Sequence, residues 1–285
     1  MRHLHASLEE IKVQEAYGIG LAAKASVDQQ YGTGFPHFAS HVDERGNILG
    51  PDTPYAYHNG FHTRSGEEDA VRLGMRLGYG PAKLALLGAT LDTHDLIFTG
   101  NRGPDEEASA QLLVEDLQGV NEHYGRTIFG DREIVMGELG VKGTTAEVDE
   151  SGVLLGQLAA SQDYPDAETQ EFALAVTCAD TGRLYTPDGP RMGHAYYREL
   201  IGRNLPGDVV PIDDRLVEFQ NNQVTLLENY QYPLPEADEV LSTHRQEVID
   251  YSGALAGDLA AGTIENWDEI AGRDASFFVR PRGDR

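Results

Sequence analysis

Histidine and aspartate side chains recur along this chain in an order that suits a metal site. The members, in chain order, are His58, His62, His94, Asp95 and Asp180. Imidazole and carboxylate groups together bind zinc, iron, manganese or nickel, and a carboxylate can also bridge to a second, harder ion such as magnesium. Two bridged ions can clamp a phosphoryl group and activate water at neutral pH. The residue types therefore predict a metal centre suited to phosphoester chemistry.

The local sequence indicates how these side chains are held. His58 and His62 are four residues apart, so on a helix they share a face. Only one of them is needed as a ligand, which leaves the other free to donate a proton. The His94-Asp95 pair follows the apolar run LALLGATL, and Asp180 ends the apolar stretch EFALAVTCAD. A carboxylate at such a place is costly unless metal or hydrogen bonds receive it.

Helix-start signals surround these segments. Pro81 directly follows a glycine and precedes the run LALLGATL, which is typical of a first helical position. Ser65 and the glutamate three residues later predict a capping box for a helix to about Leu77. Pro104 and the three acidic residues after it predict a helix to about Leu117. The candidate ligands therefore lie near helix ends.

The rest of the chain is mainly helical in pattern. Further helices are predicted near residues 5–17, 152–160, 167–181, 190–203, 213–232 and 236–261. Residues 31–54 predict a long loop, and 131–152, which mixes β-branched residues with glycines, predicts a short hairpin or a loop. The predicted fold class is all-α, a helical bundle with ligands at helix ends, in a single domain over residues 1–285.

Composition limits the partners. The chain has 285 residues, 47 of them acidic and 22 basic, and its formal net charge of -25 argues against a nucleic-acid polymer as partner. Cys178 is the single cysteine, so no disulfide can form within the chain. We find no signal peptide and no apolar run long enough for a bilayer. We expect a soluble, cytoplasmic protein with a small-molecule substrate, no membrane partner and an oligomeric state that the sequence does not fix.

The ligand order resembles that of the HD-domain superfamily of metal-dependent phosphohydrolases. The run YHNGFH (57–62) resembles the Y-H-N-x-x-H signature of eukaryotic-type (class I) cyclic nucleotide phosphodiesterases. HDLIFTG (94–100) resembles their H-D-x-x-H-x-G, and TCAD (177–180) their H-C-A-D. QVTLLENYQYPLPE (223–236) has the spacing of their Q-x-x-F followed by P-L. The resemblance covers about residues 55–240 and implies the same helical fold.

The resemblance also implies a role for each residue. His58 corresponds to the proton donor of that family. The ligands of two divalent ions, whether Zn, Fe, Mn, Ni or Mg, would be His62, His94, Asp95 and Asp180. Gln223 corresponds to the glutamine that binds the purine edge, Leu226 would form an apolar wall beside the base, and Tyr57 would assist substrate binding. Asn59 would orient backbone or water, and Glu106 or Glu107 would take the place of the family's supporting glutamate.

Two positions depart from the family pattern. Phe98 stands where the family has the second histidine of H-D-x-x-H, and Leu226 replaces the aromatic ring that stacks on the base. An aromatic pair contributes roughly 0.5–1.5 kcal/mol beyond its burial, and that contribution is lost with leucine. These departures weaken the prediction of a cyclic nucleotide more than the prediction of phosphoester hydrolysis.

The sequence thus predicts phosphodiester hydrolysis, with a 3′,5′-cyclic nucleotide as the first-choice substrate. In this scheme metal-bound hydroxide attacks phosphorus and His58 protonates the departing oxygen. An HD-type nucleotidase or phosphomonoesterase is the first alternative. A di-iron oxygenase on the same scaffold and a catalytically silent ligand-binding module are the others.

Overall fold

The computed structural model describes residues 41–42, 48–49, 57–58, 60–97, 103–148, 154–203 and 208–278. Helices dominate this part, and the all-α class predicted from sequence is confirmed. The helices, in chain order, are α1 Gly60–Arg76, α2 Pro81–Thr93, α3 Pro104–Tyr124, α4 Asp131–Gly143, α5 Ala167–Asp180, α6 Gly189–Leu200, α7 Asp214–Asn229, α8 Pro235–Leu241, α9 Arg245–Ala260 and α10 Trp267–Phe278.

Two short antiparallel hairpins complete the described secondary structure. β1 (His41–Val42) pairs with β2 (Ile48–Leu49). β3 (Ala146–Val148) pairs with β4 (Leu154–Gln157), and a 3-10 turn follows directly at Leu158–Ala160. The second hairpin lies between α4 and α5, so it connects two helices of the core.

Helix α2 lies in the middle of the larger apolar core. It packs against α1, α3, α4 and α5, and Leu86, Leu87 and Leu91 are fully buried. A helix that is apolar on all sides belongs in the interior. Pro81 is its first residue, as predicted, and the helix ends at Thr93, directly before the His94-Asp95 pair. Among the described residues, no helix has both the length and the apolar character to cross a membrane.

A close helix crossing aligns two of the helix ends that carry candidate ligands. A Cβ atom at Gly140 of α4 would lie 3.0 Å from Thr90 Cγ2 on α2 and 3.1 Å from Val176 Cγ2 on α5. Glycine therefore lets α4 touch both helices at once. Thr90 is one turn before His94, and Val176 is one turn before Asp180. This contact fixes the two helix ends beside each other.

The C-terminal helices form a second apolar cluster around a buried histidine. His194 Nδ1 lies 2.6 Å from Asp274 Oδ2, and Tyr251 donates its hydroxyl to Asp274 Oδ1 at 2.6 Å. Nε2 of His194 lies 3.1 Å from Oε1 of Gln220. This network joins α6, α7, α9 and α10, so His194 has a structural role.

Several sequence predictions were wrong near the segments that carry the candidate metal ligands. The capping box at Ser65 does not exist, because α1 begins at Gly60 and the Ser65 hydroxyl donates to the carbonyl of His62 at 2.8 Å. The segment 131–152 begins with helix α4, whose start Glu133 caps by accepting the N–H of Gly130 at 3.1 Å, and the predicted hairpin is limited to the strand pair β3–β4. Gly137, Gly140 and Gly143 of this helix allow close packing and form no turn.

Other boundaries also differ. The helix predicted near 152–160 is strand β4 and a 3-10 turn. The helix predicted over 236–261 is interrupted, since α8 ends at Leu241 and α9 begins at Arg245. Helix α10 was not predicted at all. The helix predicted near 5–17 lies outside the described residues.

The buried carboxyl group of Asp116 should make the stability of the fold depend on pH. It lies on the buried face of α3, and neither carboxylate oxygen has a hydrogen-bond partner in the described part of the chain. Burial, followed by the negative charge of Glu115, raises its pKa from 3.8 to about 7. The unfolded chain loses this proton near 3.8 while the folded chain keeps it, so stability falls as the pH rises from 3.8 to about 7.

We therefore expect Asp116→Asn to be more stable than wild type by about 2–4 kcal/mol at pH 8 and nearly equal to it at pH 4. Urea unfolding of the metal-free proteins at both pH values measures the difference. Glu122→Gln, an exposed change on the same helix, is the control and should show no such pH-dependent gain. An Asp116→Asn protein less stable than wild type at pH 8 would contradict the assignment.

Candidate metal centre

The structure brings together four of the predicted site residues. Nε2 of His62 lies 3.2 Å from Oδ1 of Asp180 and 3.3 Å from Oδ2 of Asp95. Nε2 of His94 lies 2.9 Å from the same oxygen of Asp95 and 3.2 Å from that of Asp180. One possible ligand atom from each residue lies within 4.8 Å of all the others. We call these four residues the ligand cluster; they could hold a metal ion.

Three helix ends supply the cluster. His62 lies in the first turn of α1, His94 and Asp95 directly follow α2, and Asp180 is the last residue of α5. Nδ1 of His94 lies 2.6 Å from the carbonyl oxygen of Leu91. Because a carbonyl only accepts hydrogen bonds, Nδ1 carries the proton, and Nε2 can present its lone pair to a cation. The donor set and the tautomer of His94 therefore both fit a divalent ion.

Charges within the cluster strongly affect one another. Burial alone would raise the pKa values of Asp95 and Asp180, but the neighbouring histidines hold both well below their usual range. Burial alone would lower the pKa values of His62 and His94, but the two carboxylates raise them. A divalent ion would displace the imidazole protons and take over the neutralisation of both carboxylates, so metal binding should release protons.

His58 lies beside the cluster without being part of it. Its Nε2 is 4.0 Å from Oδ2 of Asp95. Its Nδ1 contacts Oε1 of Glu199, whose other oxygen accepts the backbone N–H groups of Tyr57 at 3.0 Å and of His58 at 3.1 Å. Glu199 therefore fixes both the backbone and the ring of His58. Sequence reasoning missed Glu199, although it lies within residues 55–240, the part of the chain that the phosphodiesterase resemblance covers.

Tyr57 packs against one of the ligand histidines. Its ring centroid lies 4.5 Å from that of His62 and 5.3 Å from that of Tyr196 on α6. Burial, with the negative charges of Asp180 and Asp95, raises the pKa of Tyr57 well above its usual value. The phenol is therefore neutral at physiological pH. Its ring also packs against that of His58, at a centroid distance of 4.8 Å.

Gln157, at the end of β4, is a second residue that sequence reasoning missed. Its Nε2 donates to Oδ2 of Asp180 at 2.7 Å and to the carbonyl of Thr144 at 3.1 Å. It lies in a segment that was predicted to be helical, 23 residues before Asp180. We find no signal in the sequence that links it to the cluster.

The supporting residues predicted from sequence are found in different places. Glu106 accepts the N–H of Gly103 at 2.5 Å and caps α3. The pKa of Glu106 is raised, mainly by burial, although backbone hydrogen bonds act against the shift. The negative charge of Asp95 adds to the rise, so Glu106 is close enough to interact electrostatically with the cluster. Glu107 instead pairs with Lys142 at 2.9 Å and is mostly exposed. Asn59 and Phe98 lie outside the described residues.

Gln223 and Leu226 are half-buried on α7. A Cβ atom at Gly193 of α6 would lie 3.3 Å from Oε1 of Gln223, so the two helices are close there. Gln223 lines a small depression together with Gly193, His194 and other residues of α6 and α7. Helix α6 also carries Glu199, which contacts His58. The same helix therefore lies beside Gln223 and holds the residue that orients His58.

Comparisons of this chain with protein-family models, with curated proteins and with solved structures gave no match. The resemblance to HD-domain phosphohydrolases therefore stays a prediction from short motifs.

The geometry predicts that divalent metal stabilises the protein. An ion at about 100 times its dissociation constant adds about 2.7 kcal/mol, which corresponds to a rise of roughly 5–10 °C in Tm for a domain of this size. Thermal unfolding with Zn²⁺ or Mn²⁺, and again with EDTA, measures this increment. Asp95→Asn should remove most bound metal and most of the increment, because Asp95 contacts both ligand histidines.

The matched control is Asp131→Asn, which changes an exposed aspartate at the start of α4. It should bind metal and gain stability as wild type does. An Asp95→Asn protein with full metal content and the full thermal increment would contradict the assignment of the cluster.

Proposed function

We propose that this protein is a metal-dependent phosphodiester hydrolase, with a 3′,5′-cyclic nucleotide as its first-choice substrate. The observation that carries the proposal is the position of His58, whose Nε2 lies 4.0 Å from Asp95 Oδ2, next to four residues that could hold a metal ion. Divalent ions bound there would polarise a phosphoryl group and activate water at neutral pH. A metal site with an adjacent proton donor supports hydrolysis of a phosphoester with a poor leaving group.

His58 is suited to deliver a proton. Glu199 contacts Nδ1 and fixes the orientation of the ring, while Nε2 faces the cluster. Two backbone hydrogen bonds to Glu199 hold the carboxylate in place. In the proposed reaction Nε2 of His58 gives its proton to the departing 3′ oxygen, and Glu199 keeps the ring in the required orientation.

The charge of the chain favours a small substrate. A net charge of -25 repels an extended polyanion. Within the cluster, bound cations would reverse the local field, so one phosphate group could still bind. In the proposal Gln223 offers a donor and an acceptor to a purine edge, and Leu226 forms an apolar wall. This part of the proposal rests on the phosphodiesterase resemblance and on the proximity of α6 and α7.

A substrate panel tests the proposal directly. We would assay cyclic AMP, cyclic GMP, nucleoside 5′-monophosphates and bis(p-nitrophenyl) phosphate with Mg²⁺, Mn²⁺, Zn²⁺ and Fe²⁺. We expect metal-dependent hydrolysis of the diesters, abolished by EDTA and by Asp95→Asn. Activity on the monophosphates alone would favour a nucleotidase, and bound iron without hydrolysis of any phosphoester would favour an oxygenase. Either result would overturn the diesterase proposal.

His58→Ala should separate catalysis from metal binding. General acid catalysis contributes about 10²–10⁴-fold, so kcat for a cyclic nucleotide should fall in that range while metal content is retained. The loss should be smaller for bis(p-nitrophenyl) phosphate, because nitrophenolate needs little protonation. His123→Ala, an exposed histidine near the end of α3, is the control and should keep full activity. Loss of metal together with rate would mean that His58 is a ligand.

Gln223→Ala should affect base recognition alone. Loss of one partner of a buried hydrogen bond costs about 1–3 kcal/mol, so kcat/KM for a purine cyclic nucleotide should fall roughly 5- to 150-fold. Hydrolysis of bis(p-nitrophenyl) phosphate, which has no base, should stay nearly constant. Asn222→Ala, the exposed neighbour on the same helix, is the control. Equal effects on both substrates, or no effect on either, would assign Gln223 a structural role.

A further inference from the structure

Gln157 is a buried amide that contacts one carboxylate of the ligand cluster. It is 7% exposed. Its Nε2 donates to Asp180 Oδ2 at 2.7 Å and to the Thr144 carbonyl at 3.1 Å, while its Oε1 is buried and has no hydrogen-bond partner among the described residues. Both N–H groups are thus used, and both point toward acceptors.

The orientation of this amide follows from its neighbours. The carbonyl of Thr144 only accepts, and the carboxylate oxygen of Asp180 is also an acceptor. A flipped amide would place Oε1 of Gln157 against two other acceptors and would lose both hydrogen bonds. The nitrogen must therefore face Asp180.

The hairpin between α4 and α5 delivers Gln157 to this position. Gln157 pairs with Ala146 across β3 and β4, and the N–H of Leu158 donates to the carbonyl of Thr145 at 2.9 Å. These bonds attach the end of β4 to the C-terminal end of α4. A short strand pair in a mainly helical core thus brings the side-chain amide of Gln157 to Oδ2 of Asp180.

The two oxygens of Asp180 consequently have different surroundings. Oδ1 lies 3.2 Å from Nε2 of both His62 and His94, whereas Oδ2 is held by Gln157. We propose that Gln157 is a positioning residue that makes Asp180 bind metal through one oxygen only. This inference rests on the metal-binding part of the proposed function. Its consequence is that one coordination position stays free for substrate, as catalytic metal sites require.

Cobalt binding tests the inference without any assay of activity. Gln157→Met keeps the length of the side chain but removes both N–H donors. Loss of a hydrogen bond that orients a ligand typically costs about 10- to 100-fold in metal affinity, so Co²⁺ should bind more weakly by that factor. The visible absorption of bound Co²⁺ should also change, because Oδ2 is released and the coordination number can rise.

Gln162→Met is the matched control. Gln162 donates to the Leu139 carbonyl at 3.3 Å and to the Tyr164 hydroxyl at 2.5 Å, so it anchors the same segment without contacting the cluster. This variant should bind Co²⁺ with wild-type affinity and spectrum. If Gln157→Met does not fold, Gln157→Asn, which withdraws the amide by one methylene group, should give the same weakened binding and altered spectrum.

The outcomes separate the two proposals. Wild-type affinity and spectrum in a folded Gln157 variant would overturn the role of Gln157 and leave the metal centre intact. Failure of the wild-type protein to bind Co²⁺, Zn²⁺ or Mn²⁺ would overturn the metal centre and the role of Gln157 with it.

Discussion

Two partly buried carboxylates and two buried imidazoles converge at three helix ends, and the structure must compensate for placing these groups together. Asp95 and Asp180 would be costly to bury alone. Each lies within 3.3 Å of Nε2 of both His62 and His94, so the four groups neutralise one another. A bound cation can replace the protons on the imidazole rings and neutralise the two carboxylates in their place. The cluster is therefore stable enough to fold and suited to exchange protons for metal.

The surrounding fold serves this convergence. Helix α2 can end inside the protein because every residue from Leu84 to Thr93 is buried. Gly140 lets α4 approach α2 and α5 one turn before their ligands, which fixes the relative position of His94 and Asp180. Beside the cluster, Glu199 orients His58, and Gln157 donates a hydrogen bond to Oδ2 of Asp180. Residues distant in sequence thus restrict the freedom of each site residue.

The parts of the site that follow from local sequence were predictable. An ionisable residue at the end of an apolar helix has few stable environments, which is why His94, Asp95 and Asp180 could be grouped before the structure was known. The all-α class followed from helical periodicity in the same way. Glu199 and Gln157 could not be found, because a single polar residue far away in the chain carries no periodic signal. Helix α4 was missed because its glycines allow close packing, a tertiary property that local propensity does not record.

The most direct test of the central claim is anomalous X-ray diffraction from crystals of the protein grown with Zn²⁺ or Mn²⁺. We expect anomalous density for an ion coordinated by Nε2 of His62, by Nε2 of His94 and by one oxygen each of Asp95 and Asp180, at about 2.0–2.2 Å for zinc. Metal found only at surface carboxylates, with no peak in the ligand cluster, would contradict it.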